Sequence, residues 1–366
     1  MNLLKVKSSR PFFSAVYRSF LFQRSGLVWS LLTAIMLPWS LFYLLLMESR
    51  RFFSRPEKYK FKVVSVGNLT AGGTGKTTLV HLMAKTLTDS GRKVVVAGSG
   101  FGSSGSILWA EGQEIVDPES FGDEMVMLAR KLPRAVFIKG KGKKNLLEIV
   151  AAKMYPDVVL LDDGMQCYGI RKDIEVALVV ARNPFDNGFL LPAGLLREPC
   201  RRLKRVDVIV ITNAFEISSE KRRRLLERLL RYGKPVFFMN YRIIDFVDYS
   251  GNVYTGKDIT GKRVLAFAGI GQPLSFFSLI ENFSPGCLFP VVFPDHFRYR
   301  FHDVEEISRL GKKLGVDWYL MTEKDAVKVW RLKEDKNFLA GRVSVSLEDQ
   351  RGNKIGVDRL LASVID

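Results

Sequence analysis

The run Val63-Val64-Ser65-Val66 leads straight into Gly67-Asn68-Leu69-Thr70-Ala71-Gly72-Gly73-Thr74-Gly75-Lys76-Thr77-Thr78, and an apolar helical stretch follows. A β-branched strand, a glycine-rich turn, Gly-Lys-Thr and a helix make up a phosphate loop. Small residues let backbone N–H groups turn inward around an anion, and the helix N-terminus adds partial positive charge. Residues Thr70 to Thr78 are therefore the expected nucleotide-binding loop. Lys76 is expected on the β/γ-phosphates and the Thr77 hydroxyl on Mg²⁺. One departure is visible: Thr70 stands where the usual pattern has its first glycine.

A phosphate loop needs an acid at the end of a neighbouring strand. Val158-Val159-Leu160-Leu161-Asp162-Asp163-Gly164 supplies it, so Asp162 and Asp163 are candidate metal-shell residues. Adjacent residues of a strand point to opposite faces, which predicts different partners for the two carboxylates.

Outward from the loop, apolar runs alternate with helical stretches. Strands are predicted over 62–66, 93–97, 135–139, 158–161, 174–180 and 206–211, with helices over 76–90, 123–132 and 144–154. Their apolar continuity implies strands covered on both faces, hence an α/β fold of P-loop type with a parallel sheet. A basic helix is predicted over 219–232, its leucines on one side. A second, smaller α/β/α unit starts near Arg263, with strands over 264–268 and 318–322. The division reads as an N-terminal segment 1–55, a P-loop domain 56–234, a β linker 235–262 and a C-terminal α/β domain 263–366.

The N-terminal segment holds LVWSLLTAIMLPWSLFYLLLM, Leu27 to Met47, without a charge. As a helix it spans roughly 30 Å, the thickness of a bilayer's hydrocarbon core. Lys5, Lys7, Arg10, Arg18 and Arg24 precede it. Arg50, Arg51, Arg55, Lys58, Lys60 and Lys62 follow it. Because both flanks are basic, charge bias leaves spanning and interfacial placement open. The chain's 56 Lys and Arg exceed its 38 Asp and Glu, a net charge of +18. That excess calls for an anionic partner, and the flanks of the apolar helix point to an anionic membrane surface. No nucleic-acid module is recognisable, so no nucleic-acid partner is expected. The three cysteines exclude a disulfide scaffold and a cysteine zinc site.

Further islands narrow the class. They are Gly122-Asp123-Glu124, Asp162-Asp163-Gly164-Met165-Gln166, Leu191-Pro192-Ala193-Gly194-Leu195-Leu196-Arg197-Glu198-Pro199, Ala268-Gly269-Ile270-Gly271, Pro294-Asp295-His296 and Met321-Thr322-Glu323-Lys324-Asp325-Ala326. In order and spacing, with the loop, they resemble the tetraacyldisaccharide 4'-kinase family over about Ser65 to Val329. The resemblance implies ATP and Mg²⁺ at the loop. It implies phosphorylation of the 4'-hydroxyl of an acylated glucosamine disaccharide 1-phosphate in lipid A biosynthesis. It also implies attachment to the inner membrane, and because ATP is cytoplasmic the catalytic body is expected on the cytoplasmic side. It assigns Asp123 as base assisted by His296, Glu124 near the metal, Arg197 near the phosphates, and Gln166 and Asn68 at the substrate. Physically, a sugar hydroxyl needs a proton acceptor, and charge on the transferring phosphoryl group needs Lys, Arg and Mg²⁺.

Two positions depart from the family's pattern. Ser99 stands where it has an arginine, and Cys167 where it has a histidine. A serine cannot replace a bidentate guanidinium. Lys139, Lys141, Lys143 and Lys144 are candidates to compensate, or form an exposed basic loop. Two other readings stay open on the residues. One is a diverged kinase of another lipid or sugar. The other is a membrane-bound switch ATPase with a protein partner. Oligomeric state is not legible.

Overall fold

The computed structural model describes residues 27–99, 107–114, 123–295 and 297–365, with the side chains of 27–29, 99, 123, 124, 127, 130 and 363–365 excepted. The basic residues from Lys5 to Arg24, Gly122 and His296 lie outside the described residues. The chain divides into two compact units. Among the described residues, one holds 31–240 and 345–365, and the other 241–344.

The larger unit is built on β1 (Lys62–Asn68), β2 (Val94–Ser99), β3 (Leu108–Glu111), β4 (Val136–Gly140), β5 (Val158–Asp162), β6 (Ile174–Val180), β7 (Val208–Thr212) and the start of β8 (Val236–Val247). Their order is β8-β7-β6-β1-β5-β2-β4-β3. Every pair is parallel except β3, which lies antiparallel on β4 at the edge. β1 sits between β5 and β6, with Val66 beside Asp162 and Ser65 beside Glu175. Such a central strand is apolar on both faces, and every residue of β1 after Lys62 is buried.

Helices cover both faces. Helix α2 (Lys76–Asp89) buries Leu79, Val80, Met83, Ala84 and Leu87 at helical spacing and packs on β1, β2 and β5. Helix α4 (Lys143–Lys153) places Leu146, Leu147 and Val150 against Val63, Val95, Val159 and Leu161. Between them in sequence, α3 spans Asp123–Lys131. Farther along, α5 (Ser219–Leu230) buries Leu225 and Leu229 against Ile209 and Ile211. Leu230 is exposed, so the apolar stripe is narrower than the four leucines suggest. The basic face of α5 is partly used internally: Arg222 stacks on Phe238, and Arg228 on Phe185.

The strands of the smaller unit are β10 (Arg263–Ala268), β11 (Cys287–Val292), β12 (Trp318–Thr322) and the start of β13 (Phe338–Glu348), ordered β11-β10-β12-β13 and parallel. One face packs Phe267, Phe293, Tyr299 and Phe338; the other packs Phe246, Phe276, Phe277 and Leu320. The predicted β connection after Pro235 is one strand of 12 residues, β8, whose end pairs antiparallel with the short β9 (Val253–Tyr254).

Helix α1 runs from Leu27 to Phe53 with Pro38 inside it, six residues beyond Met47. It is long and apolar enough to cross a membrane. One side meets the larger unit. Ser40 donates to the Leu190 carbonyl at 2.8 Å and accepts from the Ala193 N–H at 3.1 Å, and the Tyr43 hydroxyl donates to the Arg197 carbonyl at 3.2 Å. Glu48 pairs with Arg201 at 2.9 Å. The other side carries Leu31, Ile35, Trp39, Phe42, Leu45 and Leu46, all exposed, Phe42 and Leu45 at 62%. This inverts the usual helix of a globular protein, whose apolar stripe faces its own core.

Candidate active site

The loop closes where β1 ends. Gly75, at φ 86°, turns the chain left-handed just before α2, a conformation that glycine takes without steric cost. Gly67 serves by its size: a Cβ there would lie 2.5 Å from the Met165 Cβ, so the turn after β5 can lie against β1 only over a glycine. Thr70 needs neither freedom. It forms an antiparallel bridge with Leu196, and the flanking bonds run from Ala71 N–H to the Leu195 carbonyl (2.7 Å) and from Arg197 N–H to the Leu69 carbonyl (2.6 Å). The extended backbone at Thr70 is the physical reason a β-branched residue fits there. The Leu191–Pro199 segment is thereby one wall of the loop.

Side chains converge on this wall. The Thr77 hydroxyl donates to Asp162 Oδ2 at 3.0 Å. Lys76 Nζ donates to Asn68 Oδ1 at 3.0 Å and lies 3.7 Å from Asp163 Oδ1. Arg197 grips Asp163 with both terminal nitrogens, at 3.0 and 2.9 Å, and one of them also donates to Asn68 Oδ1. Asp162 and Asp163 thus part, one to the threonine of the loop and the other to the cations, although β5 ends at Asp162 and strand alternation does not reach Asp163. Asp163 manages this from a left-handed backbone, φ 58°. Burial opposes its ionisation, but the Arg197 hydrogen bonds and the charge of Lys76 outweigh that and hold its carboxyl below the usual value.

Asn68 is fully buried and ties the cluster together. Its side-chain amide donates to the Thr70 carbonyl, and its backbone carbonyl accepts from the Gln166 side chain at 3.4 Å. Gln166 also donates to Glu198 at 2.9 Å. Glu198 is buried against Arg202, and burial pushes its carboxyl up. Sequence reading did not single out Glu198; the available signal was its place in Leu-Arg-Glu-Pro.

Of the four lysines weighed against Ser99, Lys139 and Lys143 are buried and Lys141 and Lys144 exposed. The exposed-loop reading therefore fails for half of them. Lys143 donates to the Asp162 backbone carbonyl. Burial pulls its ammonium pKa down, while the acidic groups of Cys167, Asp162 and Asp163 work the other way. Cys167 is half-buried, and burial raises its thiol. Asp123 and Glu124 open helix α3.

In the smaller unit three of the islands meet. Asp325, fully buried, accepts from the Gly269 N–H (3.1 Å), the Thr322 hydroxyl (2.7 Å) and the Tyr299 hydroxyl (3.1 Å). Lys324 lies 3.7 Å from Asp295, and Lys328 donates to the Phe297 carbonyl at 3.2 Å. The residues on either side of His296 are thus tied to the helix that starts at Glu323.

A buried strand, a loop led by glycines into a helix, and an acid from the next strand on the loop's threonine define a P-loop nucleotide-binding protein. The donor set suits Mg²⁺. Thr77 and Asp162 offer hard oxygens, and no three His, Cys, Asp or Glu cluster into a cage among the described residues, as fits a cation that is held mostly by substrate phosphates and water.

Comparison with known proteins narrows this class. The sequence model described as tetraacyldisaccharide-1-P 4'-kinase matches residues 32–362. The tetraacyldisaccharide 4'-kinase of Syntrophobacter fumaroxidans is 36% identical over 77% of this chain and 75% of that protein. The one from Halothermothrix orenii is 29% identical over 85% and 83%. The crystal structure of LpxK from Aquifex aeolicus in complex with ATP superposes with a TM-score of 0.67, at 27% identity, covering 92% of this chain and all of that one. The chain belongs to the tetraacyldisaccharide 4'-kinase family.

Proposed function

We infer that this protein transfers the γ-phosphoryl group of ATP to the 4'-hydroxyl of a tetraacyldisaccharide 1-phosphate, a step of lipid A biosynthesis. What carries the reading, beside family membership, is the meeting of Lys76, Asp163 and Arg197 over the loop, held by Asn68. Transfer of a phosphoryl group is mostly positioning and charge stabilisation. Lys76 and Arg197 supply two cations fixed before substrate arrives, so little reorganisation is needed as charge develops. Thr77 and Asp162 would hold Mg²⁺, which would offset phosphate charge. Asp123 takes the proton of the attacking hydroxyl, and His296 assists it; a carboxylate with an imidazole makes an acceptor tuned near neutral pH. Glu124 acts near the metal, and Gln166 and Asn68 near the substrate.

The protein works at the inner membrane with its body in the cytoplasm, where ATP is. Helix α1 lies in the interface rather than crossing it. A helix bound to protein from Ser40 to Glu48, bare and apolar on its far side, has the form of a monotopic anchor.

The test is a transfer assay in detergent with labelled ATP, Mg²⁺ and tetraacyldisaccharide 1-phosphate, with Lys76→Ala as control. Labelled lipid that vanishes in the control is expected. ATP turnover without labelled lipid would overturn the reading.

A further inference from the structure

Where α1 ends on the larger unit there is a cavity of about 310 Å³ that no step of the reaction uses. Its charged lining is Arg51 and Glu48 from α1, Arg201, Arg202 and Lys204 from the 3-10 turn Cys200–Lys204, and Arg205 just after. With Glu198 at its base, it holds five cations against two carboxylates, an excess of three. The pairing is uneven. Arg202 is taken up by Glu175 at 3.3 Å and Glu198 at 3.2 Å. Glu48 is shared by Arg201 at 2.9 Å and Arg51 at 3.1 Å. Lys204 and Arg205 stand exposed. Packing guanidiniums around one carboxylate leaves repulsion that an added anion relieves.

Position decides which anion. Leu41, Phe42, Leu45 and Leu46, within two turns before Glu48 on the same helix, are exposed and apolar. If they enter the acyl region, the cavity stands at the depth of lipid phosphates. We propose that this cavity seats the phosphate of an anionic phospholipid and fixes the body's orientation on the membrane. The proposal rests on the interfacial reading of α1. Arg201, Lys204 and Arg205 are the headgroup ligands, and Glu48 holds Arg201 and Arg51 ready when no lipid is bound.

The experiment uses the full chain, sedimented with vesicles of phosphatidylcholine alone or mixed with phosphatidylglycerol, at physiological salt. The wild type is expected on both, more tightly on the anionic vesicles. A Lys204→Gln/Arg205→Gln double variant is expected to lose about thirtyfold on anionic vesicles. On neutral vesicles it should match the wild type, and its transfer rate in neutral detergent should be unchanged. Arg201→Gln should behave alike with a smaller loss. Undiminished binding of the double variant to anionic vesicles overturns the proposal. So does a tenfold rise in its KM for the lipid substrate in neutral detergent, which would make the cavity a substrate-phosphate site. A wild type that ignores neutral vesicles defeats the interfacial helix itself, and this proposal with it.

Discussion

Asp163 receives both terminal nitrogens of Arg197, at 3.0 and 2.9 Å, while Asp162 beside it receives the hydroxyl of Thr77 at 3.0 Å. Two neighbouring carboxylates thus take different partners: Asp163 the guanidinium of Arg197, Asp162 the hydroxyl of the loop's threonine.

Arg197→Lys tests this split. A lysine can neither span both oxygens of Asp163 nor reach Asn68 at the same time. The transfer rate constant should fall by about a hundredfold or more, the scale of losing one preorganised charge donor. ATP affinity should change far less. A loss confined to ATP affinity would place Arg197 in nucleotide binding alone.

Asp123→Ala should abolish transfer to lipid while ATP still binds with near wild-type affinity, as measured by calorimetry. A collapse of nucleotide affinity instead would put Asp123 in the metal shell rather than at the acceptor.

The apolar face of α1 makes a separate prediction. Phe42→Ser and Leu45→Ser each remove a side chain whose burial contributes about 1.5–3 kcal/mol. Each should weaken binding to neutral vesicles by roughly tenfold or more. Thermal stability in detergent-free buffer should hold, because neither residue is buried in the protein. A large fall in melting temperature would show that the face packs on protein.

Much of this was legible beforehand. Strands over 174–180 and 318–322 match residue for residue: the first is a β-branched apolar run and the second an aromatic and aliphatic one, and short apolar runs of this kind fit a strand buried in a sheet. Gly75-Lys76-Thr77 after β1 announced the loop, because few sequences combine glycines with a lysine at a helix start. Other parts were hidden in tertiary structure. Thr70 looked like a defect of the motif until its bridge to Leu196 showed that the position is extended. The sequence leaves Lys143 open between a ligand that compensates for Ser99 and part of an exposed basic loop, and only the fold shows it buried and spent on the end of β5. Nothing local in the sequence told that α1 would turn its few polar side chains inward, since their partners lie about 150 residues away.

Asp248 offers a pH test in the smaller unit. Burial opposes its ionisation, but hydrogen bonds from the side chain and N–H of Asn252, the Ser250 N–H and the Tyr254 hydroxyl keep its carboxyl below the ordinary value. A carboxylate with a depressed folded pKa binds fewer protons folded than unfolded. Its stabilisation is therefore complete above the unfolded pKa of about 3.9 and is lost as pH falls through the folded one. The stability gap between wild type and Asp248→Asn, from denaturant titrations, should be flat above about pH 5 and shrink below about pH 4. A gap that widens on acidification would contradict this.

The central claim is the identity of the acceptor oxygen. Phosphorus NMR of the lipid product, purified after reaction with ATP and Mg²⁺, tests it most directly. A second phosphomonoester signal is expected, coupled to the proton at the 4' carbon of the disaccharide, and no such signal with Lys76→Ala. A new phosphate coupled to any other position, or ATP consumed with the lipid unchanged, would contradict it.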